Sequence, residues 1–83
     1  KMLTEFTAER IACEAIADYK NVSLNQFLKN KKLGFLTKRY GKQFVVDVMS
    51  NIGGFISLNR VRIDAESGTV TSIEFLMGEF ELS

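Results

Sequence analysis

The chain has 83 residues and a mass of 9.4 kDa, room for a single domain spanning 1–83. With 46% hydrophobic and 25% charged residues and a net charge of +1, it has a globular composition and no global charge that names a partner. The lack of histidine and the single cysteine, Cys13, exclude a Ser-His-Asp or Cys-His nucleophile, a His-ligated zinc, an internal disulfide and a Cys-rich metal cage within this chain. No cofactor is expected.

The first element reads as a helix. Thr4 is placed to cap it, Glu5 and Glu9 lie near the positive end of its dipole, and it should end near Asn21. Ala8, Ile11, Ala12, Ala15, Ile16 and Tyr19 recur at spacings of three and four, which puts them on one face. Four alanines in this stretch suit close approach to a flat sheet. Ser23 with Gln26 three residues on forms a capping-box pattern, and Leu24, Phe27 and Leu28 follow at helical spacing. A short second helix is therefore expected near 24–31.

From Leu33 the period changes towards two. Leu33 to Tyr40 should pair, through a turn at Gly41-Lys42, with the apolar strand Gln43–Met49, in which Phe44, Val46 and Val48 share one face. Asn51-Ile52-Gly53-Gly54 is the strongest breaker in the chain. Asn59 to Asp64 is the next strand, with Val61 and Ile63 inward and Arg60 and Arg62 outward. Asp64 should cap the following turn with its side chain, and Gly68 should take the left-handed conformation. Thr69 to Met77 returns as the last strand, where the slip in phase between Val70 and Ile73 predicts a bulge near Thr71-Ser72. The tail, with Phe80 and Leu82 turned inward after a kink at Gly78, is expected to complete the sheet; a dimer contact is its other use. The fold class is α+β, an N-terminal helix and a short second helix packed on a three- to four-stranded antiparallel sheet.

No constellation supports catalysis, and the chain is not expected to be an enzyme. Asp47 lies within an apolar strand, where an unpaired buried carboxylate would be costly, so an Arg or Lys on a neighbouring strand should meet it. Cys13 is placed as a small core hydrophobe. Charge distribution is the unusual feature. Lys29, Lys31, Lys32, Lys38, Arg39 and Lys42 put six of the eleven basic residues into fourteen positions without an acid among them. That stretch, with Phe35 and Tyr40 available for stacking, is the candidate partner-binding segment. Edge lysines that keep strands from pairing explain the same pattern without a ligand, and that reading is favoured because the pI of 8.1 is below that of a basic nucleic-acid module.

A family resemblance rests on three stretches: Thr4 through Ala15, Tyr40-Gly41-Lys42-Gln43-Phe44-Val45-Val46-Asp47-Val48, and the hairpin Arg60-Val61-Arg62-Ile63-Asp64-Ala65-Glu66-Ser67-Gly68-Thr69-Val70. A strand ending in Asp-Ala, a turn closing on Gly and a strand resuming with Val resembles the PepSY-type small domains. The chain departs from that pattern by its extra helix at 23–31, by Gly53-Gly54 and by showing no signal sequence. The resemblance implies a non-catalytic domain, often extracytoplasmic, and in peptidase propeptides one proposed to inhibit the peptidase. It transfers no site residues. The expected function is thus a protein-interaction module that regulates or inhibits a protein partner through the free sheet face or the basic hairpin. A small immunity or antitoxin-type protein fits the same features, nucleic-acid binding through 29–42 ranks below both, and a homodimer is compatible with either. No stretch is apolar enough for a membrane span. The chain is expected in the cytoplasm if complete as given, and outside it if a leader has been removed.

Overall fold

The computed structural model describes residues 1–82. Helix α1 (Glu5–Lys20) and helix α2 (Leu24–Leu28) precede four strands, β1 (Gly34–Tyr40), β2 (Gln43–Ile52), β3 (Phe55–Asp64) and β4 (Val70–Phe80). The strands form one antiparallel sheet in the order β1-β2-β3-β4, and both helices lie on the same face of it.

Local chemistry sets the boundaries. The Thr4 side chain accepts from the Thr7 amide at 3.1 Å, and Asn21 closes α1 in the left-handed conformation at φ 58°. Ser23 caps α2 by accepting from the Gln26 amide at 3.1 Å. α2 is shorter than its spacing predicts, ending at Leu28 rather than near residue 31. Asn30 is the cause: its side-chain carbonyl accepts from the Lys32 amide at 2.9 Å while its amide donates to the Asn51 carbonyl at 2.6 Å. An Asx turn thus replaces a further helical turn.

Two-residue turns at Gly41-Lys42 and Gly53-Gly54 join β1 to β2 and β2 to β3, with Tyr40 opposite Gln43 and Ile52 opposite Phe55. The second turn has φ of 62° and 87° at its two glycines, as a tight hairpin requires. In consequence β3 begins at Phe55, four residues before its expected start at Asn59. Asp64 caps the β3–β4 loop as expected, accepting from the Glu66 and Ser67 amides at 2.9 and 2.8 Å. β4 slips against β3 at Thr71, where a bulge is expected, and again at Leu76, where none is.

The core lies between α1, α2 and the inner sheet face. Ala8, Ala12, Cys13, Ile16 and Ala17 from α1 meet Phe44, Val46, Val48, Val61 and Ile63, and Phe27 is carried in by α2. Each large apolar side chain enclosed there contributes about 1.5–3 kcal/mol. Tyr19 is not part of this face but is 65% exposed. The stripe in contact runs through Ala12 and Ile16 towards Lys20, one position round from it.

Helix and sheet differ in length. Sixteen residues of α1 span about 24 Å at ~1.5 Å per residue, whereas the eleven of β4 span about 36 Å at ~3.3 Å each. The α1 amino end is fixed at the β3–β4 loop, where the Leu3 amide donates to the Ala65 carbonyl at 2.7 Å. Its carboxyl end stops at Ser57, to which Lys20 Nζ donates at 2.7 Å. Beyond that point Phe55 has only the Lys20 ammonium over its ring, 5.9 Å from the centroid, and Phe80 lies opposite it on β4. Phe80 and Leu82 are 75% and 96% exposed, so β4 extends the sheet to Phe80 without the inward packing expected of the tail.

Candidate functional site

The sheet face opposite the helices is uncovered. Strand alternation sends Leu36, Lys38 and Tyr40 of β1, Asp47 and Met49 of β2, and Ile56, Leu58, Arg60 and Arg62 of β3 to that side. Cross-strand register orders them into rows. One row reads Leu36–Asp47–Arg60–Glu74, and another Met49–Leu58–Met77. The charged row is internally neutralised. Arg60 donates from Nε to Asp47 Oδ1 at 2.8 Å and from its terminal nitrogen to Oδ2 at 3.0 Å, a two-pronged fit of guanidinium to carboxylate. Arg62 pairs with Glu74 alongside. The partner expected for Asp47 is therefore present, and Asp47 is part of a structural pair. Beside the pairs lies an open depression of about 350 Å³ bounded by Leu36, Lys38, Tyr40 and Val45. A second hollow of about 180 Å³ lies between Met49, Ile56, Leu58 and Met77.

Around this second hollow the usual polarity of the sheet is inverted. Ser50, Ser57 and Asn59 point into the protein and are 1% exposed, whereas Met49 and Met77 point out and are 47% and 63% exposed. Inward serines and an asparagine need partners. They find them in Lys20 Nζ on Ser57, in the 3.4 Å approach of the Ser50 and Ser57 hydroxyls, and in the 3.4 Å bond from Ser57 to Asn59 Oδ1. Burial pulls the Lys20 ammonium below its usual pKa, and no carboxylate pairs with it among the described residues.

The basic segment does not form one surface. Lys29, Lys31 and Lys32 precede β1 and Lys42 follows it. The strand between them has seven residues, about 23 Å at ~3.3 Å each. Lys32 pairs with Glu81 and Lys42 with Glu66. Arg39 lies on the helix side, donating to the Gly41 carbonyl at 2.8 Å and to Met2 Sδ at 3.1 Å. Lys38 and Tyr40 are on the uncovered face, and Phe35 is on the helix side opposite Val48. Phe35 and Tyr40 therefore do not share a stacking platform. Cys13 is buried, and its thiol is pushed up to about 11, first by burial and then by Glu9.

The residues of the inverted patch carry no functional motif in the sequence. Their signal is the order Ser57-Leu58-Asn59-Arg60-Val61-Arg62-Ile63, an alternation that changes phase between Asn59 and Arg60, so that polar residues occupy the inward phase at its start. Among the described residues no three Cys, Asp or Glu side chains group as metal ligands, and no helix is long and apolar enough to cross a membrane. Comparison with protein-family models, with curated proteins and with solved structures finds no match.

Proposed function

We propose that the chain is a non-catalytic protein-interaction module whose uncovered sheet face receives a protein partner and so regulates or inhibits it. The inverted polarity of β2 and β3 carries this reading. A free-standing sheet gains nothing by burying Ser50, Ser57 and Asn59 while exposing Met49 and Met77 and leaving Leu58 half-buried; a sheet with a second surface to cover does. The size is adequate. Four strands of about ten residues present roughly 600 Å² at ~4.8 Å between strands and ~3.3 Å per residue, close to one side of an ordinary stable interface at ~800 Å². Because Asp47–Arg60 and Arg62–Glu74 already pair with one another, the partner need not supply counter-charges to the centre of the face. The matching surface is an apolar strip with uncharged polar groups beside it, and two methionines let this side adapt to it. A PepSY-like relationship, drawn from the β3–β4 hairpin, belongs to the same proposal.

The test is affinity capture from source lysate with the tagged chain and its Leu58→Glu and Met49→Glu variants, with and without nuclease and at low and high salt. One stoichiometric protein should survive nuclease and salt and be held at least tenfold more weakly by both variants, with circular dichroism unchanged. Retention indifferent to the variants would refute the face. Binding lost to nuclease or salt would transfer the function to nucleic acid and to residues 29–42.

A further inference from the structure

The second unpartnered surface is the outer edge of β4. It shares Met77 with the sheet face but concerns a different occupant. The two edges of the sheet are unlike. β1 carries Lys38 and Arg39, the kind of residue that keeps an exposed edge from pairing. β4 has neither Lys, Arg nor Pro anywhere from Val70 to Leu82, and six consecutive residues, Phe75 to Phe80, are exposed. Phe75, Leu76, Met77 and Phe80 are 56%, 38%, 63% and 75% exposed. A strand apolar on both faces is the pattern of an interior strand rather than an edge.

Gly78 explains how the edge is shaped. A Cβ built there would lie 2.6 Å from Phe55 Cζ and 3.0 Å from Phe75 Cε1, so both rings occupy the space of its missing side chain. Phe80 closes the group edge-on to Phe55 at 5.0 Å between centroids. Three phenylalanines thus gather over one glycine where α1 ends, with the Lys20 ammonium over the Phe55 ring.

We propose that a second copy of the chain pairs along this edge, β4 antiparallel to β4 across a two-fold axis at Gly78, to give one eight-stranded sheet. The position of the axis follows from the chain. Past the Leu76 bulge the run from Met77 to Phe80 is regular against β3. A two-fold axis normal to the sheet keeps side chains of one face opposite each other only if it passes through a residue. Centred on Gly78, it sets Glu79 against the partner's Met77 and keeps the two Glu79 carboxylates from facing each other directly. Centred on Glu79, it would oppose them. On the other face it brings both aromatic groups together over the paired glycines, where aromatic contacts add to the burial. The remaining acids are already compensated within each copy, Glu74 by Arg62 and Glu81 by Lys32.

The area is sufficient. The four apolar side chains hold on the order of 400–500 Å² of bare surface per copy, taking ~150–250 Å² for a whole aromatic residue. With the main-chain edge and Gly78 enclosed as well, two copies bury up to about 1,200 Å², the lower end of stable interfaces. Pairing β4 with β1 of another copy would also match charge, but it leaves a free edge at each end and builds an open chain, whereas the two-fold arrangement closes.

Sedimentation of the chain alone across a wide concentration range tests this without reference to any other partner. A species of twice the 9.4 kDa chain mass is expected, with no larger assembly. Leu76→Lys should raise the dissociation constant at least tenfold, and Lys38→Glu on the opposite edge should leave it unchanged. Amide exchange on the unaltered chain supplies an independent reading: those amides of residues 75–80 that point away from β3 should become protected as concentration rises through the transition. A monomer at the highest concentration refutes the proposal. So does a dimer unaffected by Leu76→Lys, or growth beyond the dimer that Lys38→Glu abolishes.

Discussion

Replacing Phe27 by alanine tests the reasoning about the core most directly. Phe27 is the largest of the fully buried side chains, yet it belongs to a helix of five residues, far below the ~12–15 at which an isolated helix is even marginal. α2 therefore owes its position to this ring and to the Ser23 cap. Truncation removes the ring's transfer free energy and leaves a cavity that the rest of the buried cluster fills only in part, a loss of about 3–5 kcal/mol. An 83-residue domain has in total about 4–12 kcal/mol at ~0.05–0.15 kcal/mol per residue, so the variant should sit near the limit of folding. Urea unfolding followed by far-ultraviolet circular dichroism gives the measurement. At about 1 kcal/mol per molar urea, the midpoint should fall by roughly 3 M or the baseline should be lost altogether. Phe27→Leu, which keeps much of the volume, should cost about 1–1.5 kcal/mol. A loss below about 1 kcal/mol for Phe27→Ala would mean that α2 is an ornament on the sheet, and the account of the core would be wrong.

Two further outcomes follow from the titrating groups. The Ser67 and Glu66 amides hold Asp64 below its ordinary pKa, so its contribution is complete above the unfolded carboxylate value and is lost as pH falls through the folded one. Acid should therefore lower the urea midpoint of the natural chain more than that of Asp64→Asn, and equal falls would discount the cap. The Cys13 thiol, at about 11 against ~8.5 for a free cysteine, should react with a thiol-alkylating reagent at mildly alkaline pH about two to three orders of magnitude more slowly than in urea. Comparable rates would place it at the surface.

Much of the fold is legible in the sequence because opposed pressures agree along most of the chain. Asp47 shows this well. Period two turns it outward from Val46 and Val48, and the same period turns Arg60 and Arg62 outward one strand away, so a basic partner is implied by the pattern, and the register then selects Arg60. The bulge at Thr71 is marked because Val70 and Ile73 differ in phase. The one at Leu76 is unmarked because Phe75, Leu76 and Met77 are all apolar, and a slip among like residues leaves no trace in the pattern. Ser57 and Asn59 hide the first half of β3 for the reverse reason. Their inward position depends on Lys20, thirty-seven residues before Ser57, a partner that local periodicity does not reveal. Tyr19 is misplaced for a related reason: spacing by threes and fours identifies a broad stripe, and only the sheet decides which margin of it is covered.

The shortness of α1 relative to β4 separates two kinds of constraint on this chain. Ala12, Ile16, Phe27, Val46 and Val61 hold the layers together and touch no surface. Phe75, Leu76, Met77 and Phe80 lie on the outer strand and, being largely exposed, add little to that cohesion. Substitutions among these exposed residues can therefore exchange one contact for another while the folded state remains as stable as before. A change of associate would require no repair of the interior, and successive variants could move between associates without passing through an unfolded intermediate sequence.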